Sequence, residues 1–228
     1  MEHTLKVIAR IRSDFPTKFG IPRQSGLVGA LRSAVVFEPA YRSPDAVRGL
    51  EDFSHIWLIW QFSQALREDW SPTVRPPRLG GNRRLGVFAS RSPFRPNALG
   101  LSSVELVRVE LHPALGPVLH VAGADLMDGT PIYDIKPYVP YADAHPEARG
   151  GFVDQVSRRR LAVDCPPALL DRVPAEKREA LLGVLAEDPR PAYQADPERV
   201  YGMSFAGLEV RFTVAGETLA VVEIKDAR

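Results

Sequence analysis

Apolar and polar positions alternate in short runs along the first two-thirds of the chain. From Leu5 to Ile11, residues Leu5, Val7, Ala9 and Ile11 alternate with Lys6 and Arg10, and Ile8 falls out of phase. A period of two marks a half-buried strand. Further runs lie at Ala34–Glu38, His55–Phe62, Leu85–Ala89, Val104–Leu111 and Val118–Val121, separated by glycine and proline clusters. Short strands at this spacing predict an antiparallel sheet or barrel. The run HIWLIWQF (His55–Phe62) is apolar almost throughout, which predicts a central strand covered on both faces. No long helical pattern separates the runs, and this argues against a doubly wound sheet.

Past the Ala-, Pro- and Gly-rich stretch at 140–151 the pattern changes. A short strand is expected at Val156–Val163. A helix is expected at Pro174–Glu187, opened by Pro174, striped by Leu181, Leu182, Val184 and Leu185, and stopped by Pro189. Val210, Phe212 and Val214 then alternate with Glu209, Arg211 and Thr213, and Ala215-Gly216 turns the chain into a return strand at Leu219–Ile224. The fold class expected is mainly β: a single-sheeted antiparallel barrel over residues 1–148, with a small α+β domain of strand, helix and hairpin over 152–228.

At 228 residues, 45% hydrophobic and 25% charged, the chain has the composition of an ordinary soluble protein with a sizeable core. A net charge of +1 means that attraction to a polyanion must come from a local patch. The single cysteine, Cys165, excludes an internal disulfide framework and reads as a small buried apolar side chain, which fits a reducing compartment. The N-terminus has no signal-like apolar run, and no segment approaches the roughly 18 apolar residues of a membrane span. A cytoplasmic protein is expected.

The local patch is easy to find. Between Thr73 and Ser102 stand Arg75, Arg78, Arg83, Arg84, Arg91 and Arg95, with no Asp or Glu. Guanidinium groups present planar forks of donors suited to phosphate and carboxylate oxygens. Pro76, Pro77, Pro93 and Pro96 stiffen the loops that carry them. A second cationic run is Arg158-Arg159-Arg160, which could equally be a solvated strand edge. Two more segments carry chemistry. PRQSGLVG (Pro22–Gly29) frames Arg23 and Gln24 between proline and glycine. ADLMDGTPIYDIKPYVPYAD (Ala124–Asp143) gathers Asp125, Asp128 and Asp134 with Lys136, Tyr133, Tyr138 and Tyr141. Its Asp128-Gly129 pair is also a turn signal, so these carboxylates could orient a ligand, move a proton or simply cap turns. There is no phosphate loop, dinucleotide fingerprint or nucleophile elbow, and the histidines have no metal-ligand spacing.

On RSPFRPNALGLS (Arg91–Ser102), DGTPIYDIKPYVPY, PRQSG, VRGLEDFSHIWLIWQF, TVRPPRLGGN and DPRPAY, the chain resembles the TsaA-like, or TrmO, family of bacterial tRNA (adenine-N6)-methyltransferases. The resemblance covers nearly the whole chain. It implies a barrel that binds S-adenosylmethionine, a small C-terminal domain and a homodimer with the cofactor pocket near the subunit interface. The reaction implied is methylation of N6 of the threonylcarbamoylated adenosine beside the anticodon, in tRNA of the threonine type. The family's cofactor-contacting motifs fall on Pro22, Arg23 and Gln24, on Ser63 and Gln64, on Arg91 and Leu101, and on Asp125, Leu126, Met127 and Asp128. Members carry His where this chain has Ser63, and commonly Pro-Ile where it has Ala98-Leu99.

On this reading Arg91 or Arg23 holds the donor's carboxylate, and Asp134, flanked by Lys136 and Tyr138, takes the proton from the target amine. Arg75, Arg78, Arg83, Arg84, Arg95, Arg158, Arg159 and Arg160 contact phosphates of the anticodon loop, whose splayed bases stack on aromatics. No DNA or membrane partner is expected. Two other readings compete. One is a non-catalytic RNA-binding module; the other is a carboxylate-metal phosphoester hydrolase built on Asp125, Asp128 and Asp134.

Overall fold

A computed structural model describes residues 3–67, 69–76, 83–155, 159–190 and 196–227. Six strands, β1 (Ala9–Arg12), β2 (Arg32–Phe37), β3 (His55–Gln61), β6 (Leu99–His112), β7 (Gly116–Ala122) and β8 (Pro131–Pro137), close into an antiparallel barrel in the order β1-β2-β7-β6-β3-β8. The short strands β4 (Thr73–Val74) and β5 (Leu85–Gly86) form a separate two-stranded ladder. Beyond the barrel come a helical turn, α1 (Pro140–Asp143), strand β9 (Ala162–Asp164), and helices α2 (Pro167–Leu170) and α3 (Ala175–Ala186). The chain ends in β10 (Tyr201–Phe205), β11 (Leu208–Ala215) and β12 (Thr218–Asp226), which with β9 make a second sheet in the order β10-β11-β12-β9.

The period-two pattern holds in detail on β3 and β6. Ile56, Leu58 and Trp60 point into the barrel beside Val104 and Leu106, and they close a core with Ile11, Val35, Leu119, Leu126 and Ile132. The expectation that β3 is covered on both faces is corrected: Trp57, Ile59 and Gln61 on its outer face are only half-buried. A closed barrel has one inside and one outside, so even an almost wholly apolar strand buries alternate residues. The first strand begins at Ala9, and Leu5 stands 54% exposed. The expected strand Leu85–Ala89 pairs over Leu85–Gly86 only, then tightens into a 3-10 turn at Val87–Ala89. The sequence reading missed β8 and β10. Pro131 and Pro137 bracket β8, and no strand is expected there from the sequence, yet proline is tolerated at strand ends. Of the strand expected at Val156–Val163, β9 covers Ala162–Asp164, and Val156–Arg158 lies outside the described residues.

A second core joins Leu181, Val184 and Leu185 of α3 to Phe205, Val210, Phe212, Leu219 and Ile224 of the terminal sheet. Phe15, Val28 and Leu31, from the segment linking β1 to β2, pack into this same core. Phe15 and Phe205 meet edge to face with centroids 5.4 Å apart. Lys177 on α3 donates to Asp14 at 2.6 and 2.8 Å, and the Asp14 carbonyl accepts from the Ala206 amide. The segment at 13–31 thus packs into the second core while hydrogen bonds from Ser13 to Leu126 and from Gly26 to Gly123 tie it to the barrel. This fixes the PRQSG loop where the barrel's end meets the second sheet.

Candidate functional site

Glycine brings the PRQSG loop onto the barrel. The Gly26 amide donates to the Gly123 carbonyl at 2.8 Å, and the Gly123 amide donates to Leu31 at 3.0 Å. Gly123 has φ +72°, and a Cβ there would lie 3.2 Å from the Gly26 Cα. A left-handed glycine therefore permits both the bend at the end of β7 and the close approach of the two chains. Two residues later stands Asp125, part-buried at the mouth of the barrel.

Asp125 closes a hydrogen-bonded chain that starts inside the barrel. The Trp60 indole N–H on β3 donates to Ser102 Oγ on β6 at 3.0 Å, and Ser102 donates to Asp125 Oδ1 at 2.6 Å. Ser102 is 2% exposed, so this chain runs through protected space. Burial pushes the Asp125 carboxyl above its ordinary range. The Ser102 hydroxyl, backbone N–H groups including that of Ser25, and the Arg91 cation oppose that shift. Arg91 in turn donates to Gln24 Oε1, and Gln24 Nε2 donates to the Arg23 carbonyl. Arg23 reaches the Arg190 carbonyl at 3.2 Å, and the Arg190 fork is held by Asp188 at 2.8 and 2.9 Å. The fold thus brings Arg23 and Gln24 from the β1–β2 connection, Arg91 from the loop before β6 and Asp125 from the segment after β7 together.

Arg23, Gln24, Arg91 and Arg190 line a cleft of about 1860 Å³, well beyond the ~300–1,000 Å³ of an ordinary small-molecule pocket. Arg75, Arg83 and Arg84 are exposed on its walls. Arg95 lines it too, but its Nη1 braces the loop by donating to the carbonyls of Ser90 (2.8 Å) and Ser92 (3.4 Å). Ser63 and Gln64 are exposed on the turn after β3, just before the cleft-lining Ala65. Pro22 is buried.

Other expected residues stand elsewhere. Leu126 is 1% exposed with its side chain in the barrel core, so it can offer only main chain, and its carbonyl accepts from Ser13 Oγ. The Met127 carbonyl is held by Thr130 Oγ1 at 2.7 Å. Asp128 accepts from the Ser13 amide at 3.1 Å and pairs with Arg12 at 3.6 Å, which makes it a turn-fixing residue beside Gly129 (φ +74°). On the outer face of the barrel, Leu101, Ile59 and Asp134 lie in one cross-strand row, with Leu101 57% exposed. Asp134 pairs with Lys136 at 2.8 Å, and Tyr138 lies 5.7 Å from the Trp57 ring. Asp125, Asp128 and Asp134 therefore point to three separate surroundings. Among the described residues no three His, Cys, Asp or Glu side chains converge as metal ligands would, so the hydrolase constellation does not form. Arg159 pairs with Glu217 and Arg160 with Glu187, away from the cleft lining. Arg78 and Arg158 lie outside the described residues.

Sequence reasoning missed Ser102 and Trp60 as site residues. The signal was available for Ser102: a lone hydroxyl at an inward position between Gly100 and Val104 on an otherwise apolar face. Trp60 carried none, because in a run of apolar residues an indole that donates a specific hydrogen bond looks like any other core side chain.

Comparison with known proteins places these features in context. Residues 10–144 match the tRNA-methyltransferase O N-terminal domain and residues 159–227 the TrmO C-terminal domain. The chain is 43% identical over 91% of both chains to the tRNA (adenine(37)-N6)-methyltransferase of Escherichia coli. It is 44% identical over 93% of both chains to a Pseudomonas aeruginosa protein provisionally described as an S-adenosylmethionine-dependent methyltransferase. The crystal structure of TrmO from P. aeruginosa superposes with a TM-score of 0.80 at 36% identity, covering 100% of this chain and 98% of that one. No helix among the described residues is long and apolar enough to cross a membrane.

Proposed function

The chain belongs to the tRNA-methyltransferase O family, and on that premise we propose that it is an S-adenosylmethionine-dependent tRNA methyltransferase acting on N6 of the adenosine at position 37. One observation carries the reading: a part-buried carboxylate, Asp125, faces the cation of Arg91, which lines a large cleft walled by arginines. S-adenosylmethionine has a carboxylate at one end and ammonium and sulfonium cations close by. A pocket for it needs fixed groups of both signs, and the Arg91, Gln24 and Asp125 cluster fits that need.

Arg91 and Arg23 would hold the donor's carboxylate through charge-assisted hydrogen bonds, and Asp125 would accept from its N–H or O–H groups. Pro22, Gln24, Ser63, Gln64, Leu101 and the main chain of Leu126, Met127 and Asp128 complete the proposed contacts. When bound, the donor supplies a methyl group on a sulfonium, which an amine displaces in line. The protein's part is then positioning and electrostatics. Asp134, with Lys136 and Tyr138 beside it, is the proposed acceptor of the proton that the amine loses. Arg75, Arg83, Arg84 and Arg95 on the cleft, with Arg78, Arg158, Arg159 and Arg160, are the proposed phosphate contacts for the anticodon loop.

The finer substrate in this proposal is the threonylcarbamoylated adenosine, whose extra carboxylate the cleft's arginines suit. The proposal further includes residues 1–148 as the catalytic barrel, 152–228 as a smaller domain, a cytoplasmic location, and a homodimer whose contact includes the exposed Leu101, Val107 and Leu111 on β6. Mass spectrometry of tRNA nucleosides from cells lacking the protein tests the activity. The methylated, threonylcarbamoylated adenosine should disappear and return with the purified enzyme and donor; an unchanged nucleoside profile rejects the reading.

A further inference from the structure

We propose that Phe88, Trp70 and Phe94 form a stacking platform for unpaired bases of the RNA loop, an assignment that rests on the tRNA reading above. These rings are 72%, 52% and 40% exposed on the wall of the cleft. Large apolar groups gathered in water mark a surface that a partner covers. The Phe88 and Trp70 rings lie 6.2 Å apart, inclined by 33°. The Arg67 guanidinium sits 3.8 Å over the Phe94 ring, and Arg95 lies 6.0 Å from that of Phe88.

The platform is mounted rigidly. Strands β4 and β5 pair Thr73 with Gly86 and Val74 with Leu85, which sets the segment bearing Trp70 beside Phe88. Val87, 1% exposed, anchors the turn that carries Phe88, and its amide donates to the Pro72 carbonyl at 2.9 Å. Rings held in place lose little freedom on binding.

The surrounding charge identifies the partner. Arg75, Arg83 and Arg84 are exposed on the same walls, and Asp69 is the single carboxylate among the described lining residues. Aromatic rings interleaved with fixed cations suit a single-stranded nucleic acid, whose bases stack while its phosphates follow the cations. A protein partner's apolar face would not need that density of positive charge.

The test uses the full-length protein and an anticodon stem-loop RNA with 2-aminopurine at an unpaired loop position. Wild-type protein should quench the fluorescence as the base stacks. Phe88→Ala and Trp70→Ala should each weaken binding roughly 5- to 150-fold and relieve the quench, while the slope of log K against log[salt] stays unchanged. Phe88→Trp should retain both, and S-adenosylmethionine affinity should not move in any variant. Alanine variants with wild-type affinity and quench, or variants that change only self-association, overturn the platform while leaving methylation by the wild type intact. A wild-type protein that neither binds nor methylates tRNA rejects the functional reading itself, and the platform with it.

Discussion

The indole of Trp60 lies flat across its cross-strand partner Gly100, so that a Cβ on Gly100 would stand 2.5 Å from Cζ2 and 2.7 Å from Cδ2 of the ring. This packing directs the indole N–H at Ser102 and so begins the chain that ends at Asp125. Gly100→Ala would gain a little by stiffening the unfolded chain, about 0.4–1 kcal/mol. The clash with a buried ring outweighs that, and a net loss of about 1–3 kcal/mol is expected, read as a lower urea midpoint. Donor binding should weaken with it, because Trp60 must move.

Ser102→Ala removes an oxygen that serves two partners. The buried Trp60 N–H loses its acceptor and Asp125 loses its hydroxyl donor, at an expected loss of about 1–3 kcal/mol. Since the Ser102 hydrogen bond holds the Asp125 carboxyl down against burial, its loss should move the pH midpoint of donor binding upward. An unchanged midpoint would separate Ser102 from the site.

Asp125 predicts a conflict between stability and function. Burial raises its folded-state pKa above the unfolded value, so between the two the native chain holds more protons than the unfolded chain. Stability from this group therefore falls as pH rises through that window, and the loss is complete above the folded value. Asp125→Asn keeps the acceptor for Ser102 and carries no charge. Its Tm should exceed that of the wild type at pH 7, and the difference should shrink as pH falls through that window toward the ordinary carboxylate value. Donor affinity, measured by calorimetry, should drop in the same variant.

Arg91 and Asp134 have different proposed roles and should fail differently. Arg91→Ala should weaken S-adenosylmethionine binding by about tenfold or more, the scale of one charge-assisted hydrogen bond. Asp134→Ala should leave that affinity in place and lower turnover about 10²- to 10⁴-fold, as for removal of a proton acceptor. Turnover unchanged in Asp134→Ala would remove it from the mechanism.

If Arg75, Arg83 and Arg84 contact phosphates, tRNA affinity should fall steeply with salt. Each alanine substitution should lower the slope of log K against log[salt] by about 0.7–0.9. A slope that does not respond would leave these arginines as solvated surface.

The strands of the barrel and the terminal hairpin were legible because burial on one face imposes a period of two, and that period survives in any sequence that obeys it. The arginine patch was legible because charge and proline are local properties. The strand at Pro131–Pro137 was not legible, since only its neighbours β1 and β3 show that its prolines sit harmlessly at the ends of a ladder. The three carboxylates Asp125, Asp128 and Asp134 looked like one constellation because they are close in sequence. The fold sends Asp125 to the barrel's mouth, Asp128 into a turn with Ser13, and Asp134 to the outer face beside Lys136. Residue types, their spacing and their alternation were determined by the chain alone. Which side of a closed sheet each group occupies, and which distant groups meet it there, was decided only when long-range strand pairing and two packed cores closed around them.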